Sequence, residues 1–218
     1  MIEGIEITKS YTIDGRALPV LKPINLKIEP GEFVALQGKS GSGKTSLLSI
    51  LGGLDRPTSG KVLLNSREIQ NLPEEGLVDI RRHLMGFVFQ SYHLIPTLNA
   101  LENILVPAKL AGQENAKERA IALLKETGIF ERRFHFPSQL SGGEQQRVSI
   151  CRALVNSPKI VFADEPTGNL DTKSGAEILQ ILRGLKGSRS LLVVTHDFEI
   201  AAQADRVLEI VDGCLVSR

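Results

Sequence analysis

The alternation of apolar and polar residues along the chain predicts an α/β fold. Residues 5–11 and 24–28 alternate as half-buried strands do, and Thr12 to Pro23 between them is predicted as a loop because it contains Asp14-Gly15 and two prolines. Short apolar runs predict buried strands at residues 33–37, 61–64, 86–89, 159–163 and 190–194. Helical periodicity is found at residues 47–54, 99–127 with a break near 112, 142–156 and 174–185. Strands that alternate with helices favour a mostly parallel sheet covered on both faces.

The distribution of these elements predicts one domain with a helical insertion. A chain of 218 residues is long enough for one well-buried α/β domain with a smaller subdomain. Between residues 90 and 137 there is little strand pattern, and helical periodicity continues to residue 156. We therefore predict a single domain over residues 1–218, with a core at about 1–89 and 157–218 and a helical subdomain at about 90–156.

Composition narrows the possible partners and compartments. The net charge is +1, so basic residues exceed acidic ones by only one and no nucleic-acid partner is expected. No apolar run approaches the roughly 20 residues that span a bilayer, and the first residues lack the pattern of a secretory signal. Cys151 and Cys214 do not form a disulfide framework, so we interpret both as packing residues of a protein in a reducing cytosol.

A glycine-rich sequence lies between the strand predicted at residues 33–37 and the following helix. It fits the pattern G-x-x-x-x-G-K-[ST] and reads Gly38-Lys39-Ser40-Gly41-Ser42-Gly43-Lys44-Thr45. Its glycines permit backbone angles that turn successive amides toward one anion, and the helix adds the partial charge of its N-terminus. We expect Lys44 to reach the β- and γ-phosphates of a nucleotide and the Thr45 hydroxyl to bind Mg²⁺.

Two carboxylates follow the apolar strand predicted at residues 159–163. Buried strands rarely end in paired acids unless a cation or a proton transfer uses them. Asp164 is predicted to hold Mg²⁺, directly or through water, and Glu165 to orient or deprotonate the attacking water. A solvated turn or a helix cap is the alternative interpretation of this acidic pair.

Four further polar or aromatic residues lie at predicted strand ends, where open α/β sheets place their sites. Gln90 would contact Mg²⁺ or the lytic water, and His196 would hydrogen-bond the γ-phosphate. Tyr11 would stack on adenine. Asp171 would either cap the helix predicted at residues 174–185 or contact an opposite subunit.

A second glycine-rich sequence, Leu140-Ser141-Gly142-Gly143-Glu144-Gln145, has no evident use within a single phosphate-binding domain. One phosphate loop already supplies the amides that a triphosphate needs. The chain therefore resembles half of a composite site, and another copy or a related subunit would supply the other half.

Taken together, these sequences resemble the ATP-binding subunits of ABC transporters over about residues 2–213. The corresponding segments are the Walker A loop (38–45), the Q-loop Gln90, the signature (140–145), the Walker B strand (160–164), the catalytic Glu165, the D-loop (169–171) and the switch His196. The resemblance implies the ABC-ATPase form of the P-loop NTPase fold. This form has a mostly parallel core sheet, an N-terminal antiparallel β subdomain and a helical subdomain.

The resemblance also implies how the composite site works. Two subunits would face each other head to tail, with ATP between the phosphate loop of one and the signature of the other, and hydrolysis would dissolve this sandwich. Lys44, Glu165 and His196 would then be catalytic. The residues expected to contact ATP in trans are Ser141, Gly142, Gly143, Glu144 and Asp171. An intact Glu165 beside an intact signature favours a homodimer with two equivalent sites.

Three longer stretches, residues 52–60, 89–103 and 163–171, resemble the branch that contains lipoprotein-releasing and macrolide-exporting ATPases. This implies a permease with few transmembrane helices, docked near Ser91 to Ala100, and a location at the cytoplasmic face of the inner or plasma membrane. Lipoprotein-releasing members tend to carry an acidic-aromatic pair where this chain has Thr97-Leu98. That difference weakens the assignment to lipoprotein release specifically, and the cell-division relative of the branch stays open.

Other function classes fit less well. A soluble ABC-type ATPase with a cytosolic partner is an alternative, but no coiled coil interrupts the domain and only one cassette is present. A nucleotide kinase or GTPase needs no Ser-Gly-Gly-Glu-Gln sequence, and the chain has no Asn-Lys-x-Asp guanine reader. ATP rather than GTP is the expected nucleotide because of the predicted stacking of Tyr11 on adenine.

Overall fold

The computed structural model describes residues 1–217 and contains, in that range, ten strands and seven α-helices. The strands are β1 (Ile2–Ile13), β2 (Arg16–Ile28), β3 (Phe33–Gly38), β4 (Ser59–Leu64), β5 (Arg67–Glu68), β6 (Met85–Phe89), β7 (Ile160–Asp164), β8 (Ser190–Val194), β9 (Arg206–Val211) and β10 (Cys214–Ser217). The helices are α1 (Lys44–Leu51), α2 (Glu74–Leu84), α3 (Ala100–Leu110), α4 (Ala116–Glu126), α5 (Gly142–Leu154), α6 (Thr172–Leu185) and α7 (Phe198–Ala201).

The core sheet has six strands in the order β10-β9-β3-β8-β7-β6. Neighbouring strands are parallel except for β10, which runs antiparallel to β9 at one edge. Side chains of β8 alternate between two hydrophobic clusters, with Leu191 and Val193 in one and Leu192 and Val194 in the other. The sheet is therefore buried on both faces, as its apolar strands predict.

The register of the parallel strands brings their carboxyl ends to one edge. Phe89 pairs with Asp164, Asp164 pairs with Val194, and Val194 pairs with Leu36. The residues that directly follow these positions therefore begin their loops at the same level of the sheet. This edge is where the chemistry-bearing residues are expected to meet.

A second, antiparallel sheet has the strand order β2-β1-β4-β5. The predicted loop from Thr12 to Pro23 is wrong, because β1 and β2 continue through most of it and only Asp14-Gly15 forms the turn. Both turn residues have positive φ, which two-residue hairpin turns require. The prolines are tolerated because β2 is the outer strand of its sheet.

The helical periodicity predicts five of the helices, α1, α3, α4, α5 and α6, close to where the structure has them. The break predicted near residue 112 separates α3 from α4, and α5 and α6 lie where helices are expected. Between residues 90 and 156 the structure contains α3, α4, α5 and two 3₁₀ turns but no strand, while the division of the chain at those residues remains a prediction. Helices α2 and α7 and strands β5, β9 and β10 were not predicted. Within residues 1–217, no helix combines the length and apolar character needed to cross a membrane.

One buried polar side chain fixes the loop that precedes α3. Asn103 is fully buried, and its Oδ1 accepts a 2.7 Å hydrogen bond from the Ile95 amide. Its amide nitrogen donates to the carbonyls of Ile95, Leu98 and Asn99 at 3.1, 2.8 and 3.1 Å. A single side chain thus satisfies several backbone groups of residues 95–99, which would otherwise need water.

We predict that Asn103→Ala lowers the free energy of unfolding by about 2–3 kcal/mol, because it leaves these backbone groups without partners and opens a cavity. Urea denaturation measures the change. The control is Asn115→Ala. Asn115 is exposed at the start of α4, and its side chain makes no capping hydrogen bond. This substitution should therefore lower the free energy of unfolding by less than about 0.5 kcal/mol. Equal losses for the two variants would contradict the role of Asn103.

Candidate nucleotide-binding site

A cleft of about 740 Å³ lies at the edge where the parallel strands end. It brings together residues that are far apart in the sequence. Its lining consists of Tyr11, Val20, Gly38, Lys39, Ser40, Gly41, Gly43, Lys44, Thr45, Ser46, Gln90, Asp164, Glu165, Val194 and His196. All residues predicted to bind ATP or Mg²⁺ within one subunit are in this lining except Ser42, which lies inside the phosphate loop.

The glycines of the phosphate loop are needed for its geometry. Gly38, Gly41 and Gly43 have φ values of 149°, 77° and 107°, in the region that favours glycine. A Cβ on Gly38 would lie 2.4 Å from the Ile210 carbonyl oxygen, and one on Gly43 would lie 2.5 Å from a methyl group of Leu21. Strands β9 and β2 therefore leave no room for a side chain at either position.

The polar groups of the loop fit a phosphate. The Lys44 ammonium donates to the carbonyls of Gly38 and Lys39, each at 2.9 Å, so it lies across the loop. The Ser42 hydroxyl is buried without a hydrogen-bond partner among the described residues, and a phosphate oxygen is a group that it could donate to. Helix α1 begins at Lys44 and adds its N-terminal amides.

Two oxygen groups beside the loop fit a divalent cation. The Thr45 hydroxyl donates to Asp164 Oδ2 at 2.9 Å. Burial raises the pKa of Asp164, the charge of Glu165 raises it further, and the hydrogen bond from Thr45 opposes both effects. A cation held between the hydroxyl and the carboxylate would relieve this unfavourable burial of charge, and hard oxygen ligands of this kind suit Mg²⁺.

Gln90 follows β6 into the cleft, where its side chain is paired with Asn169 of the D-loop, a contact that the sequence analysis did not predict. The Gln90 side-chain nitrogen donates to Asn169 Oδ1 at 3.2 Å, and Asn169 Nδ2 donates back to the Gln90 carbonyl at 3.1 Å. A Cβ on Gly168 would lie 2.8 Å from the Gln90 amide nitrogen, so the pair also needs a glycine there. The two loops are thereby joined at the cleft.

Glu165 and His196 are in direct contact. His196 Nδ1 lies 2.8 Å from Glu165 Oε2, and the His196 amide donates to the same oxygen at 3.3 Å. The Glu165 backbone amide donates to the Val194 carbonyl, and its φ of 46° is unusual for a residue other than glycine. Backbone strain of this type is concentrated at functional sites. The carboxylate is thus held beside the histidine at the floor of the cleft.

Tyr11 is held at the mouth of the cleft by two residues that the sequence analysis missed. Its hydroxyl donates to Asp55 Oδ2 at 3.0 Å, and the Lys9 ammonium lies 4.7 Å from its ring centre and 2.7 Å from Asp55 Oδ1. Lys9 lies two residues after Ile7 on a strand of alternating pattern, so the sequence places this charged residue on the buried face. That position was a signal that Lys9 has a partner. These contacts leave the ring partly exposed at the cleft.

The second glycine-rich sequence forms the start of α5 and lies outside the described lining of the nucleotide cleft. Ser141 and Glu144 make reciprocal capping bonds, from the Glu144 amide to the Ser141 hydroxyl at 3.3 Å and from the Ser141 amide to Glu144 Oε2 at 2.8 Å. Arg132 also contacts the Glu144 carboxylate at 3.2 Å. Cβ atoms on Gly142 and Gly143 would lie 2.9 and 2.6 Å from the hydroxyls of Tyr92 and Ser174.

Asp171 caps α6, which confirms one of the two interpretations of this residue. Its Oδ1 accepts from the Ser174 amide at 3.0 Å and its Oδ2 from the Ser174 hydroxyl at 2.8 Å. None of the five residues predicted to act in trans belongs to the described lining of the nucleotide cleft. One chain thus brings together the phosphate loop and the acids, but not the signature.

Cys151 is a packing residue, as predicted. It is fully buried beside Thr127, whose hydroxyl lies 3.2 Å from its sulfur. Burial raises the pKa of its thiol to about 12, so it is not a reactive nucleophile.

Comparison with known proteins identifies the family. Residues 21–168 match the model of the ABC transporter family. The chain is 49% identical over 217 residues to the lipoprotein-releasing system ATP-binding protein LolD of Syntrophotalea carbinolica, covering 98% of this chain and 96% of LolD. It is 47% identical over 221 residues to the macrolide export ATP-binding/permease protein MacB of Wolinella succinogenes, covering 100% of this chain but 34% of MacB. The chain therefore spans about a third of the MacB length.

Solved structures agree with this family. The chain is similar to the dimeric ATP-binding cassette MJ0796 in a post-hydrolysis state bound to ADP and Pi, with a TM-score of 0.92, 40% identity, and coverage of 100% of this chain and 98% of that one. Another dimeric structure of MJ0796 gives a TM-score of 0.93 and 42% identity, with coverage of 99% and 96%. The chain thus belongs to the ABC transporter family as an ATP-binding and ATP-hydrolysing cassette of the LolD and MacB branch.

Proposed function

We propose that two copies of this chain form a head-to-tail dimer that uses ATP to drive a membrane permease of the kind named in its relatives. The main observation behind this proposal is that the two glycine-rich sequences are separated in space within one chain. The nucleotide cleft has no signature residue in its described lining, while Ser141 at the start of α5 is exposed. A second copy would supply the missing signature, and the dimeric structures of the similar cassette support this arrangement.

Within one subunit, the phosphate loop would bind the triphosphate of ATP through its amides, Ser42 and Lys44. Mg²⁺, held by Thr45 and Asp164 with Gln90 nearby, would supply positive charge that neutralises phosphate oxygens during transfer. Glu165 would orient the attacking water and accept its proton. His196 would hold the Glu165 carboxylate in place through the 2.8 Å contact and would hydrogen-bond the γ-phosphate.

Across the dimer, α5 would present its N-terminus to the γ-phosphate of the partner's ATP. Ser141, Gly142 and Gly143 would provide amides there. Glu144 would act mainly through its capping bonds with Ser141, and Asp171 through its cap on α6, because both carboxylates are already engaged in the single chain. The loss of the γ-phosphate on hydrolysis would then weaken the dimer.

The permease would dock near Ser91 to Ala100, at the cytoplasmic face of the membrane. A largely apolar groove of about 480 Å³ begins beside this segment, and its lining includes Phe89, His93 and Leu110. Within the proposed helical subdomain at about residues 90–156, the Arg152 guanidinium donates to the carbonyls of Tyr92 and His93 at 2.7 and 2.5 Å. Displacement of the docking segment would therefore move α5 and the signature with it.

Relatives named for lipoprotein release and for macrolide export are 49% and 47% identical to the chain, so identity favours neither cargo. In this proposal the permease, rather than the cassette, selects the transported molecule.

We predict that Glu165→Gln retains ATP binding but lowers turnover by at least about 100-fold, because the amide cannot accept a proton from water. Phosphate release and nucleotide titration measure the two properties separately. Glu118→Gln, a matched change on the exposed face of α4, should leave both unchanged. Turnover near the parental rate in Glu165→Gln would remove this residue from its proposed role.

We predict that Ser141→Arg abolishes turnover while ATP binding is retained, since the bulky cation blocks the start of α5. Lys44→Ala should be inactive because the phosphate loop fails. A mixture of the two inactive variants should recover up to about a quarter of the parental rate, because mixed dimers contain one site with an intact loop and an intact signature. A site complete within one chain would give no recovery on mixing.

We predict that Ile95→Glu weakens association with the permease while leaving the ATPase activity of the isolated cassette unchanged, because a charge is placed on the docking segment. Affinity purification from detergent-solubilised membranes, with mass spectrometry of co-purifying proteins, measures the association. Ile13→Glu is the matched control, since Ile13 is also exposed but lies on the β1–β2 hairpin. Recovery of the parental chain only with ribosomes, DNA or other soluble proteins would contradict a permease partner.

A further inference from the structure

Phe198 is exposed to an unusual degree. The residue is 80% exposed, more than any other large hydrophobic residue in the described part of the chain, where Leu110 and Phe134 follow at 64% and 62%. Single apolar residues on a surface are common, but a nearly free phenyl ring beside an active site needs a reason.

The local structure holds this ring outward. Phe198 is the first residue of α7, and Ile200 and Ala201 of the same helix are buried in the core. Successive residues of a helix are about 100° apart, so Phe198 and Ile200 point to opposite sides. Asp197 fixes the start of α7 by accepting from the amides of Glu199 and Ile200 at 2.8 and 3.4 Å. Burying Phe198 by rotation of the helix would therefore expose Ile200.

The ring lies on a groove that continues from the nucleotide cleft. This groove of about 490 Å³ is lined by Phe198 together with Leu170, Asp171, Leu179 and His196. His196 also lines the nucleotide cleft, so the two depressions share a wall. By contrast, the groove beside the proposed permease segment shares no lining residue with it.

We infer that Phe198 and this groove form an apolar contact with a second copy of the chain when ATP closes the head-to-tail dimer. The inference rests on the proposed function, which requires a second copy to cover the face that carries His196 and Asp171. Continuity with that face identifies the occupant as another cassette rather than the permease. In a dimer with twofold symmetry, the same contact occurs twice, once from each Phe198.

The contact would add affinity through the burial of apolar surface, beside the contacts that ATP itself makes across the interface. Large aromatic side chains that lose most of their exposure are frequent anchors of protein interfaces. Phe198 is presented by a capped helix whose Ile200 and Ala201 are buried, so the backbone that carries the ring is already ordered before it binds. The closed interface would then combine the contact of the signature with ATP and an apolar contact beside it.

The test uses the full chain with Glu165→Gln, in which bound ATP is not hydrolysed, and measures the dimer dissociation constant by analytical ultracentrifugation with ATP and Mg²⁺. Phe198→Ala and Phe198→Glu are added to this background. Both should weaken the dimer, Phe198→Glu by at least about tenfold, while nucleotide titration shows that each variant still binds ATP. Phe134→Glu, which replaces a similarly exposed phenylalanine off this groove, should not change the constant.

A photo-crosslinking benzoyl-phenylalanine at position 198 tests the contact directly. Irradiation with ATP should give a covalent dimer of the chain, and the same residue at position 134 should give none. An unchanged dissociation constant for Phe198→Glu, or no crosslink in a population shown to be dimeric, would overturn the inference and leave the composite site intact. If the Glu165→Gln parent does not dimerise with ATP, the proposed function fails, and the inference fails with it.

Discussion

The site depends above all on the in-register pairing of four parallel strands. Because Phe89, Asp164, Val194 and Leu36 are at the same level of the sheet, the residues after them emerge together at one edge. Parallel strands cannot be joined by short turns, so long crossovers bring distant sequence segments to this edge. A shift of one strand by one residue would exchange its buried faces and would move its acid or its histidine away from the phosphate loop. The same strand register therefore determines both the packing of the core and the geometry of the site.

The same edge shows why the cassette is incomplete alone. Strands β3, β6, β7 and β8 contribute their carboxyl ends to the cleft, but no residue of α5 belongs to its described lining. Gly143 lies so close to Ser174 that a side chain would collide, which fixes α5 against α6. The start of α5 is capped and its Ser141 is exposed, so in the proposed dimer it would be accessible to a phosphate held by another molecule.

The sequence predicts a structural feature well wherever neighbouring residues alone determine that feature. The phosphate loop requires particular angles at its glycines, and the strand before Asp164 and Glu165 is apolar throughout, so both features are visible without the fold. The Thr12 to Pro23 loop was predicted wrongly because prolines usually end strands, and their tolerance depends on β2 being an outer strand, which is a tertiary fact. The pairing of Gln90 with Asn169 joins residues 79 positions apart and leaves no local pattern.

For Glu144, the role that the sequence resemblance implies differs from the role that its contacts support. Its place in the signature suggests a contact with ATP, yet its carboxylate already accepts hydrogen bonds from the Ser141 amide and from Arg132. A negative charge facing a triphosphate would be repelled, whereas the same charge at the start of a helix is stabilised by the amides there. The physical argument therefore favours Glu144 as the group that holds the start of α5 in the correct geometry, with the backbone amides, rather than the carboxylate, facing the phosphate.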